Sequence, residues 1–206
     1  MARSKSSSRW LREHFNDPYV KRAQAEGWRS RAVFKLEQIQ AKERLLTPGK
    51  VCVDLGSAPG SWSQLAAQLV APRGRVVAVD LLAMEPIPGV EFLQADFTNP
   101  ETVTQLKELL GGIPVDLVMS DMAPNISGNR ATDQPRTVAL LEEAMLFATE
   151  VLKPGGDLLV KAFQGEGIDE FTRDLRRHFA TVKTLKPKAS RPESREIYLL
   201  ARTYGM

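Results

Sequence analysis

With one cysteine in 206 residues, Cys52, the chain forms no internal disulfide, and the place of that thiol inside an apolar run suggests a buried group in a reducing compartment. No hydrophobic run approaches transmembrane length. The opening Met-Ala-Arg-Ser-Lys-Ser-Ser-Ser-Arg also lacks the apolar core of a secretion signal, so a cytoplasmic protein with no membrane partner is expected. The dinucleotide fingerprint Gly-x-Gly-x-x-Gly is missing too. At 43% hydrophobic content the chain can build one sizeable core, and nothing in it requires a second. The expected organisation is a mobile basic arm over 1–29 and a single domain over 30–206, acting as a monomer.

The net charge is only +3, but it is unevenly spread. Residues 1–35 hold nine Lys/Arg against three Asp/Glu, residues 36–172 ten against nineteen, and residues 173–206 nine against three. If the fold brings the two basic ends together, an acidic-centred protein gains a positive surface that can bind phosphates. Arg31, Arg176, Arg177 and Lys186 are the candidates for such contacts; solvated charge on helix surfaces is the plainer alternative. The arm interleaves basic residues with Trp10, Phe15, Tyr19 and Trp28, aromatics that could stack on bases or equally pin the arm to the domain.

The rest is organised around Lys50-Val-Cys-Val-Asp-Leu-Gly-Ser-Ala-Pro-Gly-Ser-Trp-Ser-Gln64, where an apolar run breaks into a glycine-bearing turn and reopens with helical spacing. Gly56 and Gly60 let a ligand approach the backbone, and the free amides of the following helix face the same crevice. The acid at Asp54 favours a ligand carrying an amine or sulfonium over a pyrophosphate. An ordinary strand-to-helix connection is the plainer reading of this turn alone.

Before it, Arg31 to Leu46 reads as a helix capped by Ser30, with Ala32, Leu36 and Ile39 on one face and Arg31, Lys35, Gln38 and Lys42 on another. After it, strands are expected at Val51–Asp54, Arg75–Asp80, Val90–Gln94, Val115–Ser120 and Asp157–Lys161. Helices are expected to about Val70, through Val103–Leu110, through Val138–Leu152 and near Asp169–His178, with closing strands at Lys183–Leu185 and Glu196–Ala201. Met122–Arg136 reads as a long loop. This alternation argues an α/β fold, a mostly parallel seven-stranded sheet of Rossmann type with helices on both faces.

The first four core strands end on or next to an acid: Asp54, Asp80, Asp96 and Asp121. All map to one rim, where open α/β sheets bind ligands. Asp80 can accept both hydroxyls of a ribose and Asp96 an exocyclic amine, which leaves Asp54 and Asp121 near the reacting centre. A single such Asp is more often a cap or turn former; four in register point to a site.

Three segments, Asp-Leu-Gly-Ser-Ala-Pro-Gly-Ser-Trp-Ser, Ser-Asp-Met-Ala-Pro-Asn-Ile-Ser-Gly and Leu-Leu-Val-Lys-Ala-Phe-Gln-Gly, together resemble the FtsJ-type ribosomal RNA methyltransferases, over about Ser30 to Arg202. The resemblance implies the Rossmann-like methyltransferase fold, S-adenosylmethionine as cofactor, no metal, and 2′-O-methylation of a uridine in 23S ribosomal RNA of the large ribosomal subunit. It implies a catalytic Lys-Asp-Lys-Glu tetrad on Lys35, Asp121, Lys161 and Glu196. It also places Gly60, Trp62, Asp80, Asp96 and Asp121 in the cofactor site.

The chemistry agrees. A ribose hydroxyl needs help losing its proton as it attacks a sulfonium methyl. Methylation of a base amine calls for an Asp/Asn-Pro-Pro-aromatic turn, where this chain has Asp121-Met-Ala-Pro124, and methylation of a pyrimidine carbon calls for a cysteine nucleophile. Three readings stand beside this one: a nucleotide-cofactor oxidoreductase, a non-catalytic ribosome-assembly factor that binds RNA, and a 2′-O-methyltransferase of transfer RNA or messenger RNA caps. Taken singly, Lys35 and Lys161 could be solvated and Glu196 could pair with Arg195 or Arg191.

Overall fold

The computed structural model describes residues 17–124 and 128–205. Its elements run α1 (Pro18–Ala25), α2 (Val33–Glu43), β1 (Val51–Leu55), α3 (Ser61–Val70), β2 (Arg75–Asp80), β3 (Val90–Gln94), α4 (Pro100–Leu110), β4 (Val115–Ser120), α5 (Arg130–Val151), β5 (Leu152–Phe163), α6 (Ile168–His178), β6 (Phe179–Leu185) and β7 (Glu196–Tyr204). One sheet contains all seven strands in the order β3-β2-β1-β4-β5-β7-β6. Neighbours from β3 across to β5 pair in parallel, whereas β7 lies antiparallel between β5 and β6. This is the expected mostly parallel α/β sheet.

Strands that are apolar on consecutive residues feed two separate cores. Val53, Leu55, Val77 and Val79 pack against Leu106 of α4, Phe147 of α5 and Leu175 of α6. Their alternates Cys52, Val76, Leu117 and Met119 pack against Phe34 and Leu36 of α2 and Trp62 of α3. Burying each large apolar side chain of this kind contributes about 1.5–3 kcal/mol. No helix of the described residues is long and apolar enough to cross a membrane.

Three expectations need correction. Residues 17–29 are folded onto the domain, and 1–16, with Trp10 and Phe15, lie outside the described residues. Asp17 caps α1 by accepting from the Tyr19 amide at 2.9 Å, with Pro18 at the first helical position. Val20 and Ala23 are buried, the Tyr19 ring lies 5.5 Å from that of Phe34, and the Arg22 guanidinium sits 4.2 Å over the Phe34 ring. The Asp-Pro pair was the sequence signal available for this helix.

The loop expected over Met122–Arg136 is shorter, because α5 begins at Arg130. Pro135 and the flanking Asn, Ser and Gly argue against a helix locally, yet its first turns are anchored from outside. The Gly128 amide donates to Asp133 Oδ2 at 2.9 Å, and Gln134 Nε2 donates to the carbonyls of Phe163 at 3.2 Å and Glu166 at 3.0 Å. Residues 125–127 lie outside the described residues. The third difference is at β5, which starts at Leu152: Leu152 pairs with Val115, and the register then shifts before Leu117 meets Asp157.

Candidate active site

The turn after β1 works because of what its glycines leave out. Gly56 has φ +72, and a Cβ there would lie 2.0 Å from Met122 Cγ; Gly60 has φ +106, and its Cβ would lie 2.6 Å from both Met84 Sδ and Ile87 Cδ1. The turn is thereby pressed against the loops that follow β4 and β2. Arg29 adds a brace, donating to the carbonyls of Pro59 at 3.1 Å, Glu85 at 2.7 Å and Pro86 at 2.9 Å.

Between these loops opens a cavity of about 630 Å³, a size suited to a nucleoside-like ligand. Gly56, Asp80, Leu81, Asp96, Phe97, Asp121 and Met122 line it from the strand ends, and Arg136, Leu140 and Glu143 line it from α5. Asp80 is held by two loops: Oδ2 accepts from the Ala58 amide of the turn after β1 at 2.9 Å and Oδ1 from the Leu82 amide of its own loop at 2.8 Å. Asp96 accepts the Thr98 amide and hydroxyl at 2.9 and 2.7 Å, both on Oδ1. Each carboxylate keeps lone pairs for hydroxyl or amine donors.

Asp54, Gly60 and Trp62 do not line this cavity. Asp54 is buried one layer below, accepting from the Ser63 hydroxyl at 2.6 Å. Burial, with smaller repulsion from Asp121 and Asp80 and against the Ser63 bond, pushes its carboxyl up to about 7. Trp62 is buried too: its indole donates to the Ala32 carbonyl at 2.9 Å and its ring lies 5.8 Å from that of Tyr198. Cys52 is fully buried, and desolvation pushes its thiol up to about 12, so it is no nucleophile.

The four tetrad positions meet at the next strand ends. Lys161 of β5 lies 3.1 Å from Asp121 Oδ1 and also donates to the Asp121 carbonyl. Lys35 of α2 lies 2.9 Å from Glu196 Oε2 and 3.8 Å from Asp121 Oδ1. Glu196 thus pairs with Lys35, and it accepts from the Ser190 hydroxyl at 2.7 Å; neither Arg191 nor Arg195 is its partner.

At the centre is Tyr198, which the sequence reading missed. Its hydroxyl donates to Asp121 Oδ1 at 2.6 Å and approaches Glu196 Oε1 at 3.5 Å. Burial first, then both carboxylates, hold the phenol well above its ordinary range, so it is a fixed donor. The signal was spacing: residues 196 and 198 of a strand share a face. Two cationic and two anionic side chains, mostly buried and joined by one phenol, form a preorganised polar cluster.

Asp121 faces the large cavity, while Lys35 and Glu196 line a second one of about 310 Å³ with Arg31, Arg191, Glu193 and Ser194. The tetrad therefore reaches both cavities, Asp121 bordering the first and Lys35 and Glu196 the second, with Lys161 bonded to Asp121. The basic ends of the chain do meet around the second. Arg31, however, is turned inward, with Nη1 3.0 Å from Asp17 Oδ2 and Nη2 donating to the Ala189 carbonyl. Lys186 donates to the Ser194 carbonyl at 2.5 Å, Arg177 pairs with Asp174 at 2.5 Å, and Arg176 is exposed beside a groove under α6.

A family model of FtsJ-like methyltransferases matches residues 28–204. Ribosomal RNA large subunit methyltransferase E of Pseudomonas aeruginosa is 55% identical over 204 residues, covering 99% of both chains. The protein of that name from Alkalilimnicola ehrlichii is 56% identical over 204 residues, covering 99% of this chain and 98% of its own. Among solved structures, one described as a ribosomal RNA methyltransferase from Plasmodium falciparum superimposes with a TM-score of 0.79 at 29% identity, covering 86% of this chain and 98% of its own.

Proposed function

Because the chain belongs to the FtsJ-like methyltransferase family and is an RNA methyltransferase, we propose that it methylates the ribose 2′-oxygen of a uridine in 23S ribosomal RNA of the large ribosomal subunit. S-adenosylmethionine would supply the methyl group as an electrophilic sulfonium. The cavity fits it chemically: Asp80 offers a carboxylate to ribose hydroxyls, Asp96 and Phe97 offer an acceptor and a ring at the next strand end, and Asp121 of the tetrad puts negative charge at the cavity's far end. Gly60 and Trp62 would contribute through their main chain at the start of α3, since the indole is turned into the core. Asp54 would act from below as a buried carboxyl that responds to positive charge above it.

The observation that carries the reading is the tetrad's reach into two cavities, one acidic and bordered by Asp121, the other lined by Arg31, Lys35 and Arg191 with Glu193 and Glu196. RNA would enter by the basic side. Lys161 would meet the 2′-hydroxyl and remove its proton while Asp121 holds the amine in place; Lys35 and Glu196 would orient the ribose. A second role for Lys161 is favoured by its contacts: it donates to two oxygens of Asp121, the behaviour of a cation that would stabilise a developing alkoxide. Arg176, Arg177 and Lys186 would contact RNA phosphates, in a cytoplasmic monomer.

The test is transfer of labelled methyl from S-adenosylmethionine to large subunits from cells lacking this protein, followed by nucleoside mapping. A new 2′-O-methyluridine in 23S RNA is expected. Label on a base, or none at all, would sink the reading.

A further inference from the structure

Glu196 of the tetrad and Tyr198 lie on one face of β7, and the alternate residues of that strand face a groove that the reaction leaves unused. Along β7, Glu196 and Tyr198 point to the α2 side while Ile197 and Leu199 point to the α6 side. There a cavity of about 500 Å³ opens between α6, β6 and β7. Its floor is apolar, from Ile197, Leu199 and Ile168. Its wall carries Arg173 and Arg176, one turn apart on α6, with the exposed Thr184 of β6 opposite and Gln164 at the rim. Neither arginine has an acid partner among the described residues, whereas Arg177, on another side of the helix, is paired with Asp174. Asp169 also lines the groove, two turns up α6 from Arg176.

We infer that this groove is a second RNA subsite, holding a nucleotide that flanks the methylated one, with its phosphate on Arg173 and Arg176 and its base on the Ile197–Leu199 floor. The inference rests on the RNA methyltransferase reading above. A plain anion fits poorly, because Asp169 repels it and the floor is apolar. A nucleotide matches both ends, since its base can donate to a carboxylate while its phosphate meets the guanidinium pair. The two sites are joined at the start of β7, where Glu196 lines one cavity and Ile197 the other. The Gln164 amide donates to the Arg195 carbonyl at 3.0 Å, which ties the end of β5 to the 186–195 loop. That loop carries the exposed Lys188 and Arg195 over the rim. A single strand can therefore run from the Arg31–Arg191 cavity over the N-terminal end of β7, at Arg195 and Glu196, and down into the groove.

The experiment is steady-state methylation of large subunits from cells lacking the protein, at several salt concentrations, comparing the wild-type chain with Arg173→Gln/Arg176→Gln. A Thr184→Trp variant fills the groove without removing charge, and Arg73→Gln, exposed on the α3–β2 connection, serves as a control. KM for subunits should rise about tenfold in the double variant and in Thr184→Trp. In the double variant the log-log salt slope should fall by about 0.7 unit, the value for one single-strand phosphate contact. Arg73→Gln should match wild type, and calorimetric affinity for S-adenosylmethionine should be unchanged throughout. Arg173→Lys/Arg176→Lys should recover most of the slope. Wild-type KM and slope in both groove variants overturn the subsite, as does a loss confined to kcat. An inactive wild-type chain would instead overturn the methyltransferase reading, so the two failures are distinguishable.

Discussion

The two halves of the sheet use opposite charge and opposite construction. On the β3-β2-β1-β4 side every strand is parallel, and the two acids that end or follow β2 and β3 are held by loops at the same rim: Asp80 by the Leu82 amide and by the Ala58 amide of the turn after β1, Asp96 by Thr98. On the β5-β7-β6 side an antiparallel strand is inserted, and Lys161, Glu196 and Tyr198 find partners far away in sequence, on α2 and after β4. The first half is a set of local acceptors for a small ligand that carries positive charge. The second is a non-local cluster beside basic cavities, suited to a polyanion. A loop can preorganise a carboxylate by itself, but an ammonium group in a half-buried site needs acids delivered by other elements.

The sharpest way to break this division is at Lys161. Lys161→Ala should lose about 10²–10⁴-fold in single-turnover methyl transfer, with S-adenosylmethionine affinity kept; parallel loss of affinity would mean the halves are not separable. Lys161→Arg then decides the role, because arginine keeps the charge but does not release its proton. Substantial turnover leaves only electrostatic stabilisation.

Asp54 tests the acidic half by pH. Its folded-state carboxyl is raised to about 7, so the native chain holds this proton more tightly than the unfolded one. The associated stability is complete below about pH 4 and is lost as pH rises from about 4 to about 7, a change on the order of 4 kcal/mol. Asp54→Asn should remove that part of the pH dependence and raise the melting temperature at pH 8 by several degrees, read by circular dichroism. Identical melting profiles across the window would refute it.

Asp80→Ala should weaken S-adenosylmethionine binding by about 1.5–3 kcal/mol, roughly ten- to hundredfold by calorimetry, and leave RNA affinity alone. Tyr198→Phe works on the other half: it takes one donor from Asp121 but leaves Lys161 and Lys35, so a drop of about tenfold in transfer rate is expected, near 1.5 kcal/mol. An inert substitution would show that the two lysines alone position Asp121. The smallest effect belongs to Lys186→Gln, a lost salt slope of no more than about one unit in filter binding; no change would make Lys186 only a tether for the Ser194 carbonyl.

Legibility in the sequence follows the same division. Arg75–Asp80 and Val115–Ser120 were readable to the residue, because a strand covered on both faces is a nearly continuous apolar run, and the edge strand Val90–Gln94, with no buried residue, was readable from Val90 and Phe92 between turn residues. The strand-end acids were readable for the same reason. What escaped depends on contacts distant in sequence. Nothing local to Glu196–Tyr204 says that it pairs antiparallel between β5 and β6, nor that Tyr198 reaches Asp121 across 77 positions. Likewise, Trp62 sits among motif residues, but its indole answers to the Ala32 carbonyl and not to the cavity.

The insertion of β7 also sets an order of assembly. It follows every other strand in the sequence, yet it occupies an interior place, and β6 has no sheet partner until it arrives. Glu196 and Tyr198 ride on it. During synthesis the strands from β1 to β5 emerge first and can pair as they appear, so the carboxylate rim, with Lys35, Asp121 and Lys161, can form on a nascent chain that still lacks Glu196 and Tyr198. Chemical competence arrives in a single late step, when β7 slots in.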